Sequence, residues 1–315
     1  MEIIQIKNLI KKYKNEKKVL DIKELTVRQG EIFSLLGPNG AGKSTMINIL
    51  TTYLDYNSGE IKISGKDLRK EYYEIRKKIA CVAQNISIDE YLSLKENLIF
   101  QGELYGIEKE ELKKRIGKFI DEFALKEYID YPISTYSGGI KRRLDIAVNM
   151  ISYPKILFLD EPTVGIDIYS RKTIWEMLKR IKDEYGTTIF LTTHYLEEAQ
   201  ELSDYICIMK NGDIAAQGTI KDLEKYINQK IIKIEFENEK DAKYVKENFF
   251  IGNDVRLKKE KLYLKINNQD EISYFNKILL DNKIKFLCIG LLKPDLEEIF
   301  INIMNENKEG EGIWQ

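Results

Sequence analysis

The run Gly37-Pro38-Asn39-Gly40-Ala41-Gly42-Lys43-Ser44-Thr45 carries the clearest chemistry in the chain. Gly37 to Ser44 satisfies Gly-x-x-x-x-Gly-Lys-[Ser/Thr] in full. Glycines at those positions let successive backbone N–H groups turn inward around phosphate oxygens. A helix beginning directly behind the loop adds its dipole to the attraction for negative charge. In this arrangement Lys43 neutralises the β- and γ-phosphates of a nucleoside triphosphate, and the Ser44 hydroxyl ligates Mg2+. A chance glycine turn would need neither the flanking apolar run nor the helical pattern behind it.

Asp160 and Glu161 follow Ile156-Leu157-Phe158-Leu159. A carboxylate at the end of a buried strand is costly unless it meets a cation. Mg2+ held by Asp160, through a water, supplies one. Glu161 then points to the opposite side, toward the γ-phosphate, as a general base or water-positioning group. On its own an Asp-Glu pair is more often a solvated strand end or a helix cap; the glycine loop tips the balance. His194, the only histidine, closes the run Ile189-Phe190-Leu191-Thr192-Thr193. A lone histidine is usually structural, but the carboxyl end of a sheet strand is where folds of this kind bind ligands.

The elements that must position these residues can be read from apolar periodicity. Short β-like runs cover Ile3 to Leu9, Val19 to Val27 and Ile32 to Leu36, and the last leads straight into the glycine loop and a helix through Leu50. Charged helical pattern runs from about Leu94 to Tyr128. The strand ending at Asp160 is followed by a helix from Ser170 to Tyr185 and a β-branched run from Thr187 to Thr193. Helices alternating with buried strands predict an α/β domain with a largely parallel sheet. After Gly218 the character changes. Ile232, Ile234 and Phe236 alternate with charge, as do Leu262, Leu264 and Ile266, with helix-like segments near Asp241–Phe249 and Ile272–Leu280 and a further apolar run from Ile284. This βαββαβ order predicts a small α+β, ferredoxin-like domain, one sheet face being exposed or used for pairing. The expected division is residues 1–220 and 221–315.

With 50 basic and 51 acidic residues in 315, the formal charge of -1 offers no global field for nucleic acid or anionic lipid. Charged residues make up 32%, and apolar stretches such as Phe286 to Leu292 fall far short of the roughly 20 residues of a membrane helix. The start Met1-Glu2-Ile3-Ile4-Gln5 shows no export signal, so any membrane role comes through a partner. Cys81, Cys207 and Cys288 lie far apart in apolar contexts, which suits reduced thiols rather than a zinc or disulfide framework.

Together with Tyr136-Ser137-Gly138-Gly139-Ile140-Lys141-Arg142-Arg143, these motifs closely resemble the nucleotide-binding domain of ABC transporters over roughly the first 220 residues. The resemblance implies a P-loop ATPase domain with an antiparallel β subdomain and a helical subdomain, binding ATP and Mg2+. It implies that Gln84, in Val82-Ala83-Gln84-Asn85, reaches Mg2+ and senses a membrane partner, and that Tyr13 stacks on adenine. By the same resemblance Ser137, Gly138 and Gly139 are the family signature, Thr163-Val164-Gly165-Ile166-Asp167 is the loop crossing the dimer interface, and His194 contacts the γ-phosphate. Tyr136 and Ile140 depart from the leucine and glutamine usual in the signature, without removing the serine or glycines. The stretch Leu292-Lys293-Pro294-Asp295-Leu296-Glu297-Glu298-Ile299-Phe300 resembles drug- and antimicrobial-peptide-exporter ATPases; read simply, it is an amphipathic helix packing Leu296, Ile299 and Phe300 on the small domain.

Physical sense supports a pair. Ser137 to Gly139 precede an expected helix from Lys141 to Ile151, whose free N–H groups form a second anion site. One chain needs one phosphate cradle, so the second closes over ATP held by another subunit, head to tail. By the resemblance, that subunit is a second copy or a related ATPase, and the pair drives a separate integral membrane permease from the cytoplasmic face. Two rivals stand beside this reading. A soluble ABC-type ATPase acting on ribosomes or DNA commonly carries two cassettes or a coiled-coil insertion, and this chain has one cassette and no such insertion. Alternatively, the last 90 or so residues form a ligand-sensing module.

Overall fold

The structure, a computed structural model, describes residues 1–13, 17–226, 230–250, 255–266, 271–292 and 295–305. Lys293 and Pro294 of the exporter-like tail lie outside the described residues. The chain divides into two compact units, Met1–Ile220 and Lys221–Gln315.

At the centre of the first unit is a six-stranded sheet in the order Asp213–Gly218, Tyr205–Lys210, Ile32–Leu36, Thr188–Thr193, Ile156–Asp160, Ile79–Val82. Every pairing from Tyr205–Lys210 onward is parallel; only Asp213–Gly218 runs antiparallel to its neighbour. Parallel strands covered on both faces must be apolar throughout. The strands show how the faces divide. Ile32, Leu157 and Ile189 face one core with the helices Gly138–Met150 and Ile168–Tyr185. Phe33, Phe158 and Phe190 face a second core, closed by the antiparallel sheet of Lys18–Arg28, Glu2–Lys12, Ser58–Ile63 and Lys66–Asp67. Phe190 stacks on Phe33 with ring centroids 5.0 Å apart and tilts against Phe158 at 5.5 Å.

The charged stretch resolves into helices Leu94–Leu104 and Lys109–Glu122 and a short 3-10 turn, Lys126–Tyr128. Ser93 starts the first with a reciprocal capping box to Glu96, which satisfies two otherwise orphaned backbone donors. The β and helical subdomains are thus both present. A boundary that bears on the site differs from the sequence expectation: the helix expected from Lys141 runs Gly138–Met150, with Ser137 as its N-cap. Both signature glycines therefore lie inside its first turn.

The second unit follows the βαββαβ order, Lys230–Glu235, Glu239–Phe249, Val255–Lys258, Lys261–Ile266, Glu271–Asp281, Cys288–Leu292, with a final helix Leu296–Asn305. Its strands pair antiparallel throughout with Lys230–Glu235 and Lys261–Ile266 in the middle, the ferredoxin-like arrangement. Ile232, Ile234, Phe236, Leu262 and Leu264 bury one face against Ala242, Val245 and Leu279. Lys233, Glu235 and Lys261 point the other way and pair, at 2.7 Å (Lys233–Glu235) and 3.3 Å (Lys261–Glu235). In the final helix Leu296, Ile299 and Ile303 are buried, while Phe300 is only half-buried. That helix contacts the turn Glu224–Tyr226, where Asn302 donates to the Tyr226 carbonyl. Ile303, one turn beyond Ile299, thus takes the buried place expected for Phe300. Of the cysteines, Cys207 is buried and Cys288 is exposed, contrary to the apolar setting expected for it; all three are free.

Candidate functional site

Because the strands Ile32–Leu36, Ile156–Asp160, Thr188–Thr193 and Ile79–Val82 run parallel, their carboxyl ends meet at one edge of the sheet. Gly37, Glu161, His194 and Gln84 all follow those ends. Residues more than 150 positions apart in the sequence are thereby brought to one edge, where open α/β sheets bind ligands.

The phosphate loop is held by its neighbours. Gly37 donates to the Thr193 carbonyl at 3.4 Å and Gly212 donates to the Ala41 carbonyl at 3.1 Å. Gly42 caps the helix Lys43–Leu50 at φ 106°, a left-handed value that suits glycine alone. At Gly37 the limit is space: a Cβ would stand 2.7 Å from the Met209 carbonyl oxygen. Gly37→Ala is therefore expected to cost about 1–3 kcal/mol of stability, visible as a lower Tm, together with weaker nucleotide binding. The crest, Pro38, Asn39 and Gly40, is exposed, whereas Lys43 behind it is buried, Ser44 is exposed and Thr45 half-buried.

Lys43 Nζ lies 2.8 Å from the Gly37 carbonyl, 3.2 Å from that of Pro38 and 3.4 Å from Glu161 Oε1. Glu161 is held from both ends. Its N–H donates to the Thr192 carbonyl and Oγ1, each at 3.1 Å, and its backbone sits at φ 47°, a left-handed conformation unusual for a non-glycine residue. Strain of this kind persists only where surrounding contacts enforce it, and it concentrates at functional sites. His194 Nδ1 stands 3.2 Å from Glu161 Oε1, near enough for charge contact though outside hydrogen-bond geometry. The histidine ring packs on Tyr195 at 4.3 Å.

Beside this group, Ser44 Oγ donates to Asp160 Oδ1 at 3.3 Å, and Thr192 Oγ1 donates to the same oxygen. A serine hydroxyl next to a carboxylate, both hard oxygen donors, is a set that fits Mg2+ when triphosphate oxygens complete its shell. Among the described residues no group of three or more His, Cys, Asp or Glu side chains could hold a metal ion by itself.

Other sequence-selected residues stand apart from this cluster. Gln84 lies in the bend after Val82, its side chain exposed. Tyr13, 46% exposed, directly follows the first strand, Glu2–Lys12, with Lys11 Nζ 5.2 Å from its ring. The antiparallel sheet carrying Tyr13 reaches the phosphate loop through Leu20, against which a Cβ on Gly42 would collide. Ser137 makes no capping side-chain bond to its helix, leaving the N–H groups of that first turn for another acceptor. Gly138 faces open space, while a Cβ on Gly139 would meet the Ser170 side chain at 2.5 Å. Asp167 is an N-cap, accepting from Ser170 N at 2.9 Å, and that hydrogen bond holds its carboxyl below the usual range. Asp167 closes the loop 163–167 that the resemblance sets at the dimer interface, and its carboxylate starts the helix Ile168–Tyr185.

Three participants escaped sequence reasoning. Thr192 braces both Asp160 and Glu161. Glu198, fully buried, accepts from Thr163 Oγ1 at 2.7 Å and Trp175 Nε1 at 3.1 Å, joining the helix after His194 to the loop after Pro162. Burial pushes its carboxyl up, against hydroxyls that favour the charged form. Arg142 is 4% exposed and hydrogen-bonds the carbonyls of Ala83, Gln84 and Pro162. The spacing of Arg142, Asp145 and Asn149 in an otherwise apolar helix face was the one available signal.

Residues 20–164 match the ABC transporter family. The daunorubicin/doxorubicin resistance ATP-binding protein DrrA of Streptomyces peucetius is 38% identical over 231 residues, covering 73% of this chain and 69% of DrrA. The linearmycin resistance ATP-binding protein LnrL of Bacillus subtilis is 34% identical over 312 residues, covering 96% of this chain and 98% of LnrL. Among solved structures, a dimeric ATP-binding cassette in a post-hydrolysis state with ADP and Pi superposes with a TM-score of 0.60 at 28% identity, over 69% of this chain and 98% of that one. Agreement along nearly the whole length of LnrL, together with the fold shared with the solved cassette, leaves one assignment: the chain belongs to the ATP-binding proteins of ABC transporters, ATPases that hydrolyse ATP to power transport.

Proposed function

We propose that this subunit energises a membrane permease that exports a drug, antimicrobial peptide or similar substrate, working as a head-to-tail pair with two ATP molecules between the subunits. The names of DrrA and LnrL, which concern resistance to daunorubicin, doxorubicin and linearmycin, support the cargo class. One observation carries the pairing: the chain owns two helix starts without a side-chain cap, Lys43–Leu50 behind the phosphate loop and Gly138–Met150 behind Ser137, each suited to an anion. A single triphosphate occupies only the first; the dimeric cassette with a matching fold supports closure of the second over a neighbour's nucleotide.

Each residue then has a task. Tyr13 stacks on adenine, and the N–H groups of Gly37 to Thr45 surround the phosphates. Lys43 exchanges its bonds to the Gly37 and Pro38 carbonyls for the β- and γ-phosphate oxygens. Ser44, Asp160 and Gln84 would hold Mg2+, which supplies charge neutralisation at the phosphoryl group being transferred. As Lys43 turns to the nucleotide, the Glu161 carboxylate is released to orient water and accept its proton, and His194 stabilises charge on the γ-phosphate. Ser137, Gly138 and Gly139 complete the partner's site, and Asp167 starts the helix that borders it. Phosphate release removes these bridges and the pair reopens.

No helix among the described residues is long and apolar enough to cross a membrane. Contact with the permease is assigned to the segment from Gln84 to Tyr128. A cavity of about 340 Å3 there is lined by Ser87, Ile88, Leu92, Phe100 and Asn149 among others, with Phe100 and Leu104 exposed beside it. On this reading the subunit works at the cytoplasmic face of the membrane, with residues 221–315 as a dimer-stabilising or partner-contacting accessory domain.

Capture of the tagged Glu161→Gln chain from detergent-solubilised cells in ATP tests the reading. Recovery of a multi-span membrane protein is expected. Recovery of ribosomes or nucleic acid with no membrane protein would overturn it.

A further inference from the structure

The signature helix carries two buried charges that the reaction scheme leaves unused. Arg142 is 4% exposed and Asp145 wholly buried. The guanidinium engages all three of its nitrogens: Nε donates to the Pro162 carbonyl at 2.9 Å, Nη1 to that of Ala83 at 2.6 Å and Nη2 to that of Gln84 at 2.9 Å. Nη1 also reaches Asp145 Oδ2 at 3.4 Å. Asp145 in turn accepts from Ser87 Oγ at 2.6 Å, Ser87 N at 3.3 Å and Asn149 Nδ2 at 3.2 Å. The pair therefore grips the segment 83–87 at both ends and the residue after Glu161 as well.

Replacing a buried ion pair by packed apolar side chains is often neutral or stabilising, so stability alone does not account for this one. A planar fork with five donors can hold several acceptors in fixed mutual geometry; a lysine ammonium on the same stem holds them loosely. The three carbonyls belong to the start of the permease-facing segment and to the turn between the Asp160–Glu161 strand end and the interfacial loop. The helix bearing Arg142 begins at Ser137–Gly139. A rigid helix with such a fork in its second turn cannot shift at its N-terminus without moving all three carbonyls.

We infer that Arg142 is a positioning residue that couples the two ATP sites, making the Gln84 loop and Pro162 of each subunit follow its own signature helix as that helix engages the partner's triphosphate. This rests on the head-to-tail pairing proposed above. Closure at one site then aligns Gln84 and the Glu161 turn at the other, and the coupling is reciprocal, as linkage requires.

The test measures ATP hydrolysis by the full chain against ATP concentration, for the unaltered protein, Arg142→Lys and Ser87→Ala. Fluorescent-nucleotide affinity is read at protein concentrations too low to pair. The unaltered chain is expected to hydrolyse ATP with a Hill coefficient approaching the number of sites, about 2. Arg142→Lys lowers it to about 1, with single-site affinity unchanged, and exposed Ser87→Ala lowers it partway. Should Arg142→Lys not fold, Ser87→Ala still decides, because it removes one tie and leaves the ion pair intact. A non-cooperative unaltered chain overturns the inference, as do variants that keep full cooperativity. Parallel losses of affinity, kcat and Tm also overturn it, since they mark a merely structural role. Glu161→Gln separates the two levels: no ATP-dependent dimer of that variant sinks the pairing itself, whereas a dimer with unaltered cooperativity in Arg142→Lys sinks only the coupling.

Discussion

Glu161→Gln is expected to lower kcat by about 10^2–10^4-fold, the usual contribution of a positioned general base, while ATP binding persists. Glutamine has the same length and shape, so the contacts that hold the site survive: the Glu161 N–H bonds to Thr192 and the φ of 47° belong to the backbone and to a neighbouring hydroxyl. What disappears is the negative charge that accepts a proton and that now lies 3.4 Å from Lys43 Nζ and 3.2 Å from His194 Nδ1. In the unaltered site that charge also repels the γ-phosphate. Its removal should leave nucleotide affinity equal or higher and trap the closed pair, observed as an ATP-dependent doubling of mass in light scattering. Steady-state phosphate release within tenfold of the unaltered chain would remove Glu161 from the role of base.

The second large effect belongs to Lys43. Lys43→Met keeps the straight aliphatic stem and a good helix former at the first position of Lys43–Leu50, so the fold should stand. It removes the cation that is to meet two phosphates. Hydrogen bonds to charged groups contribute about 1.5–3 kcal/mol each, so nucleotide affinity is expected to fall by at least about 100-fold. The loss is sharpened by Glu161, whose side chain is only 12% exposed and whose near cation is gone; an unscreened carboxylate then faces the incoming triphosphate. Titration with a fluorescent nucleotide measures the change, and a melting curve close to that of the unaltered chain separates lost binding from lost folding. Affinity within a few-fold of the original would show that the backbone N–H groups alone hold the phosphates.

These two variants bear on one small space, yet the residues around it enter by different routes. Gly37, Gly42, Lys43 and Ser44 are legible in the chain because a phosphate cradle is a local object: its geometry comes from consecutive backbone units and needs glycine at fixed intervals. Asp160, Glu161 and His194 are legible because each ends an apolar run, and a run of that length without polar alternation has to be a covered strand. The order of the second unit is legible for a related reason, since Ile232, Ile234 and Phe236 alternate with charge at the period of a half-buried strand.

What the sequence determined by itself, then, was the local chemistry and the kind of element carrying it, because both depend on neighbours a few residues away. Which elements stand side by side depends on the tertiary structure. Thr192 braces Asp160 because the strands Ile156–Asp160 and Thr188–Thr193 pair in parallel with Asp160 opposite Thr192, a register no local pattern encodes. The signature helix starts at Gly138 rather than Lys141, and Asp167 became a cap. Gly139 packs on Ser170 only because two helices cross closely there. Arg142 and Glu198 would be costly in any isolated helix facing a core; they are stable because carbonyls and hydroxyls from distant segments converge on them. Burial of a polar group is decided by its partners, and those partners are assembled only when the chain has folded.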